Sequence, residues 1–291
     1  MKRSLYLALY LAPAVTLASC HPAAPPPTPP VAAGTGPATP SGDRIVSLDY
    51  CADQMLLGLV ERHRIAAVSP EVASDPLFSE PLSRGLPRVR PDVERVLAMR
   101  PTLVIRSYGG GPRIEAALRR AGVPVFTLPY ADDIPAIRRS ITASGGVLGT
   151  PDVAARRVAH LDAAIAAAET ARPMALTALY VTPGNVTTGP DSLVGRLIAT
   201  AGLSSYELRP GWHRLPIERL AGHPPDLVVR GFYDSPMHQQ DRWSSSSHRV
   251  LRASIAAVPQ VSIPGSEIAC GNWLAGNALR RLVGARQVLR Q

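Results

Sequence analysis

Three cysteines, seven histidines and a set of aromatic and arginine side chains are what this sequence offers for chemistry. His213, His223, His238 and His248 lack the i, i+4 spacing that puts two imidazoles on one helical face. None has an obvious carboxylate partner in the sequence, so a metal site is not expected. The chain carries no G-x-S-x-G elbow, no H-E-x-x-H, no P-loop and no G-x-G-x-x-G, so catalysis and a nucleotide cofactor are not expected either. Gly109, Gly110 and Gly111 could hold an anion between a strand and a helix, although a tight turn needs the same residues. What remains is binding. Tyr50, Arg106, Tyr108 and Phe232 end or closely follow short apolar runs, and Trp212 and Trp273 lie in similar loops. Aromatic faces with a few guanidinium groups suit a large, flat or partly anionic ligand.

These residues need a scaffold, and the sequence writes part of it twice. Glu94 and Glu218 stand 124 positions apart. At the same offset Arg95 falls on Arg219, Pro101 on Pro225, and the run Leu103-Val104-Ile105-Arg106 on Leu227-Val228-Val229-Arg230. Each copy reads as a short helical turn with a Glu-Arg pair, a proline that cannot continue it, and a strand buried on both faces. An interval this long indicates two similar lobes instead of a repeat array.

Elements alternate around those copies. In the first lobe strands are expected at residues 45–48, 65–68, 103–105 and 123–126, with helices beginning at Asp53 and spanning 114–121. Residues 70–90 read as a long connection interrupted by prolines. Residues 134–148 have helical periodicity. Thr150-Pro151-Asp152 reads as an N-cap with proline at the first helical position, opening an alanine-rich helix to Ala171. In the second lobe strands are expected at 175–181, 227–229 and 260–263, helices at 193–201, 250–257 and 274–289, and a loop at 183–191. The fold class is therefore α/β, with two similar lobes of parallel strands and a single long bridging helix. In such sheets ligands sit beyond the carboxyl ends of the strands.

The N-terminus sets the compartment. Lys2 and Arg3 precede an apolar stretch from Leu5 to Leu17 that is short for a bilayer span. It ends in Leu17-Ala18-Ser19-Cys20, which resembles a bacterial lipobox with Cys20 as the lipidated residue. In an exported protein Cys51 and Cys270 form an even pair and are expected to join as a disulfide; two buried thiols are the alternative. The division is 1–20 signal peptide, 21–43 Pro/Ala-rich tether, 44–132 first lobe, 133–173 linking helices and 174–291 second lobe. The net charge of +9 comes from arginines that are scattered, with Lys2 the only lysine. Without a basic run interleaved with aromatics, nucleic-acid binding is not expected.

The order Arg44-Ile45-Val46-Ser47-Leu48, Asp53-to-Leu57, Glu94-to-Ile105 and Leu118-to-Val125 resembles the ferric-siderophore and cobalamin binding proteins of ABC importers, within the helical-backbone metal receptor superfamily. The resemblance covers the chain from about residue 44 onward. It implies two Rossmann-like lobes joined by one long helix with a ligand cleft between them, in a monomeric binding protein, lipid-anchored in the periplasm, that delivers a ferric siderophore or corrinoid to a permease and its ATPase. Glu94 and Glu218 fall where the family's two permease-docking glutamates stand. Arg106 and Arg230 tip the ligand reading toward an anionic ferric chelate; haem, a bare metal ion or an exported α/β enzyme are the alternatives.

Overall fold

The structure, a computed structural model, describes residues 42–107, 112–170, 175–215, 217–234 and 255–289. Cys20, residues 21–41 of the tether, Tyr108, the Gly109–Gly111 run and residues 250–254 of the expected helix lie outside the described residues.

Four short strands, β1 (Ile45–Ser47), β2 (Ile65–Ala67), β3 (Leu103–Arg106) and β4 (Val125–Thr127), make a parallel sheet in the order β2-β1-β3-β4. Five helices accompany it: α1 (Tyr50–Leu59), α2 (Ser79–Ser83), α3 (Val93–Ala98), α4 (Pro112–Arg120) and α5 (Ile134–Val147). After the long α6 (Pro151–Glu169) come β5 (Thr177–Val181), β6 (Val186–Thr188), α7 (Leu193–Thr200), β7 (Ser204–Ser205), β8 (Trp212–Arg214), α8 (Ile217–Gly222) and β9 (Leu227–Gly231). The chain then forms β10 (Gln260–Ile263), α9 (Gly265–Ile268) and α10 (Ala275–Val288). The second parallel sheet runs β10-β9-β5-β7. With the two-stranded β6–β8 sheet set aside, the two parallel sheets have one topology: the third strand of each lobe lies between the first and the fourth. The sequence repeat falls on that third strand in both lobes, and register agrees, since Leu103 pairs with Ile45 as Leu227 pairs with Ala178.

Both strands are buried on both faces, and the alternation sorts the core. Ile45 and Ile105 of the first sheet, with Ala178, Tyr180, Leu227 and Val229 of the second, belong to one large apolar core that α5, α6 and α10 also fill. Val46 and Val104 face a smaller core under α4, while Leu179, Val181 and Val228 face another in the second lobe. At 1.5 Å per residue the 19 residues of α6 span about 28 Å. α6 packs on α5 and α10. A Cβ at Gly145 would lie 2.3 Å from the Cβ of Ala154, so glycine is what lets α5 approach α6.

Three expectations are corrected. α1 begins at Tyr50 instead of Asp53, because the Asp49 side chain accepts from the Ala52 N–H at 3.0 Å and caps it. Residues 183–191 are not all loop, since Val186–Thr188 pairs antiparallel with Trp212–Arg214. The Pro70–Arg90 connection holds a 3₁₀ turn (Pro70–Ser74) as well as α2. Thr150 occupies the N-cap of α6, but its hydroxyl makes no capping bond and Pro151 alone shapes the start.

Asp53 ties this scaffold together where β1, α1 and the chain after β2 meet. Its buried carboxylate accepts from the Ser47 hydroxyl, from the Ser69 hydroxyl at 2.5 Å and from the Ser69 N–H at 2.9 Å. Burial nevertheless pushes the carboxyl up to about 7, against these bonds, which favour the anion. A carboxyl raised above its unfolded value of about 3.9 is protonated more readily in the folded state. Its contribution to stability is therefore complete below about pH 4 and is lost as pH rises through about 7. Asp53→Asn should gain stability relative to the parent between those limits, in urea melts run across pH. A constant difference would show that Asp53 is ionised in the fold throughout.

Candidate functional site

The carboxyl end of the first sheet and loops of the second lobe line one cavity of about 340 Å³, at the small end of the roughly 300–1,000 Å³ usual for ligand sites. The first lobe supplies Ser107 after β3, the segment Leu128–Asp132 after β4, and Ser140 of α5. The second supplies Asp191–Leu193 at the start of α7 and Gly211-Trp212 at the start of β8. Cys51 and Ile268–Cys270 complete the wall. Two large aromatic side chains on it are mostly exposed: Tyr130 at 65% and Trp212 at 57%. Trp212 stands edge-on to the buried ring of Tyr180, with centroids 5.9 Å apart. Its backbone is held from the next turn, because the Gly211 N–H donates to both Asp191 carboxylate oxygens at 3.0 and 3.1 Å.

Of the residues expected to contact ligand, Trp212 lies on this wall and Tyr108 is outside the described residues. Tyr50 sits in the first turn of α1, where burial, with the carboxylates of Asp75 and Asp234, pushes its phenol up and keeps it protonated. Phe232 is half-buried at a φ of +64° and packs on the large core beside Gly265. Arg106 is not offered to the cavity. It is 3% exposed, and its guanidinium donates to Glu115 of α4 at 3.2 Å and to its neighbour Ser107 O at 3.0 Å, as a buried cation requires. Arg230 lies 4.1 Å over the Tyr233 ring. Trp273 is a core residue with 1% exposure, because the chain after α9 turns back against α1 and the indole fills the hollow over Gly58.

The sequence reading missed Tyr130. It lies three residues beyond β4, so extending the strand-end rule to that strand would have found it. Also missed was a partner for His213, whose Nε2 is 3.2 Å from Glu207 once β8 folds back. Burial raises the Glu207 carboxyl, but hydrogen bonds from Arg209 and His213 outweigh it and hold it at about 2. No group of three metal-ligating side chains occurs among the described residues.

The expected disulfide is present. Cys51 at the start of α1 and Cys270 after α9 are bonded, with Cα atoms 5.2 Å apart. Below it, buried Gln54 accepts from Asn272 at 2.7 Å and donates to Ser266 O at 3.3 Å. Glu94 is exposed on α3 and makes no hydrogen bond or ion pair with any described residue. Glu218 is on α8, its side chain outside the described set; α3 and α8 precede the third strands of their respective sheets.

A model of the periplasmic binding protein family matches residues 45–245. The chain belongs to that family. No curated protein sequence matches it. Among solved structures it is similar to the periplasmic heme-binding protein RhuT of Roseiflexus sp. RS-1, in apo form, with 22% identity over 86% of this chain and 99% of that one, at a TM-score of 0.64. It is also similar to the vitamin B12 binding protein BtuF of Vibrio cholerae, with 16% identity over 86% and 98% of the two chains and a TM-score of 0.62. A heme-binding protein from Pseudomonas aeruginosa gives 22% identity, 84% and 92% coverage and 0.60. At these identities the likeness is one of fold. As a periplasmic binding protein the chain is an exported solute carrier of a transport system, and the family role is binding, not catalysis. No described helix is long and apolar enough to cross a membrane.

Proposed function

We propose that this periplasmic binding protein captures a ferric siderophore or cobalamin and hands it to an ABC permease and its ATPase. The observation that carries the reading is the pair of exposed aromatics, Tyr130 from one lobe and Trp212 from the other, on one cavity lined by both lobes. Such faces suit a bulky, partly apolar complex held between the lobes. Glu94 and Glu218, at equivalent places in the two lobes, are the proposed permease contacts, and Cys20 the lipid anchor. The preference for an anionic chelate rested on Arg106 and Arg230. Both guanidinium groups already have partners within their lobes, so that preference loses its support.

Haem is the second reading. The haem-binding proteins among the similar structures favour it, as does the exposed Tyr130 phenol, since a phenolate can ligate haem iron. Titrating the purified protein with cyanocobalamin, ferric trihydroxamates and haem, followed by calorimetry and tryptophan emission, separates these readings. One class should saturate at a single site. Trp212→Ala should weaken it about thirtyfold, equivalent to roughly 2 kcal/mol of aromatic contact. Binding unaffected by Trp212→Ala would move the site elsewhere, and no binding of any class would refute the importer reading.

A further inference from the structure

We propose that the cleft selects by charge, taking neutral or cationic metal complexes and disfavouring anionic ones; the inference rests on the binding role proposed above and concerns the same cavity. Each lobe contributes one carboxylate to the wall: Asp132 from the chain after β4 and Asp191 from the chain before α7. Among the described residues no arginine, lysine or histidine lines it. Of the arginines close in sequence to the wall, Arg106 donates to Glu115, Arg138 to Asp162 at 2.7 Å and Arg209 to Glu207 at 3.2 Å, while Arg139 and Arg214 are exposed and do not line it. Backbone N–H groups offer an anion little more. The three helices that begin at the cavity are capped by their own chain, α1 by Asp49 accepting from Ala52 N at 3.0 Å, α5 by Asp133 accepting from Ala136 N at 2.6 Å and α7 by Ser192 accepting from Gly195 N at 3.1 Å. A helix end so occupied no longer presents those donors to a ligand.

The sign runs against that of the whole molecule. With a net charge of +9 the protein draws anions at long range, so two carboxylates on the cleft act as a local filter at contact. Asp191 is half engaged, accepting from Gly211 N, and a carboxylate has about four acceptor positions. Asp132 makes no hydrogen bond with any described residue. Both can therefore accept from amide, ammonium or hydroxyl groups on the rim of a complex. The ligand class that fits is a bulky metal complex with an apolar face, N–H donors on its edge and no net negative charge. A corrinoid with amide side chains or a ferric trihydroxamate with a free ammonium has this chemistry.

The test holds the metal centre constant and changes only charge. One linear ferric trihydroxamate is used with its free amine, with the amine acetylated and with it succinylated, beside cyanocobalamin and a carboxylic acid derivative made by hydrolysing one amide. Affinities are measured by calorimetry at about 20 mM and about 500 mM salt, where screening differs severalfold in length. On whichever scaffold binds, the anionic member should bind at least about tenfold more weakly than its neutral or cationic counterpart. Salt should narrow the gap, and so should Asp132→Asn. Equal or tighter binding of the anionic member, or a gap unmoved by both salt and Asp132→Asn, overturns the inference and leaves the binding role standing. If Asp132→Asn does not fold, the salt dependence of the unaltered protein decides. Binding of neither scaffold overturns the siderophore-or-cobalamin reading, and the inference with it.

Discussion

Opening the Cys51–Cys270 disulfide should cost this protein about 5 kcal/mol, through the chain entropy of a loop closed across 219 residues. The loop takes in most of both lobes, so the crosslink restrains the unfolded chain over nearly its whole folded length. In the native state it is one of several ties between α1 and the segment after α9. Gln54 reaches both Ser266 and Asn272 in that segment, and Trp273 lies over Gly58. Those contacts survive reduction, so the reduced protein should still fold, with a guanidinium midpoint well below that of the oxidised form. Cys51→Ser with Cys270→Ser should reproduce the reduced form. A loss below about 1 kcal/mol would mean that the reduced unfolded chain is already compact or that the lobes are held by packing alone. Because both cysteines line the cavity, ligand affinity measured beside stability also reports whether the crosslink shapes the cleft.

Trp273→Ala is the second large effect, with an expected loss of about 3–5 kcal/mol and a fall in melting temperature of about 10 °C for a chain of this size. The indole is buried edge-on to Phe78 at 6.3 Å, and Arg157 of α6 lies 5.0 Å from its centroid. Arg157 also donates to Gly58 O at 3.0 and 3.1 Å, so one side chain of the bridging helix supports both the indole and the turn of α1 beneath it. Removing the ring leaves a void among three elements and strips Arg157 of its aromatic face. Gly58 makes the loss testable as a coupling. A methyl there would sit 2.1 Å from the Trp273 ring, so Gly58→Ala should be strongly destabilising alone and much less so in a Trp273→Ala background. Additive costs in that double-mutant cycle would show that the two residues do not share the space. Trp212→Ala, by contrast, should leave the melting temperature nearly unchanged, since its ring is mostly exposed.

The two tryptophans mark where sequence and tertiary structure part. Both stand in loops of the second lobe, and the sequence reading puts both at the cleft. Trp212 is there because β8 pairs with β6 and carries it to the rim. Trp273 is not, because the chain after α9 folds inward. Arg106 misleads in the same way: it ends its strand as expected, yet Glu115, nine residues away on α4, takes its guanidinium into the lobe. Tyr130 and the two wall carboxylates carry no motif at all.

What the sequence by itself determined is what local physics encodes. Apolar, β-branched runs stopped by Pro101 and Pro225 specify two buried strands, and their common spacing from Glu94 and Glu218 marks two lobes of one design. Pro151 and an alanine-rich run specify α6, and two cysteines in an exported chain specify a crosslink. Only the tertiary structure decided which side chains face the cavity. That depends on which way each strand-end residue turns, and the turn is settled by partners distant in sequence: Asn272 and Ser266 for Gln54, Gly58 for Trp273, and Asp191 for the strand that bears Trp212. A charge or a ring has the same identity in the sequence wherever it points. Its role is set by whether a partner or the solvent reaches it first.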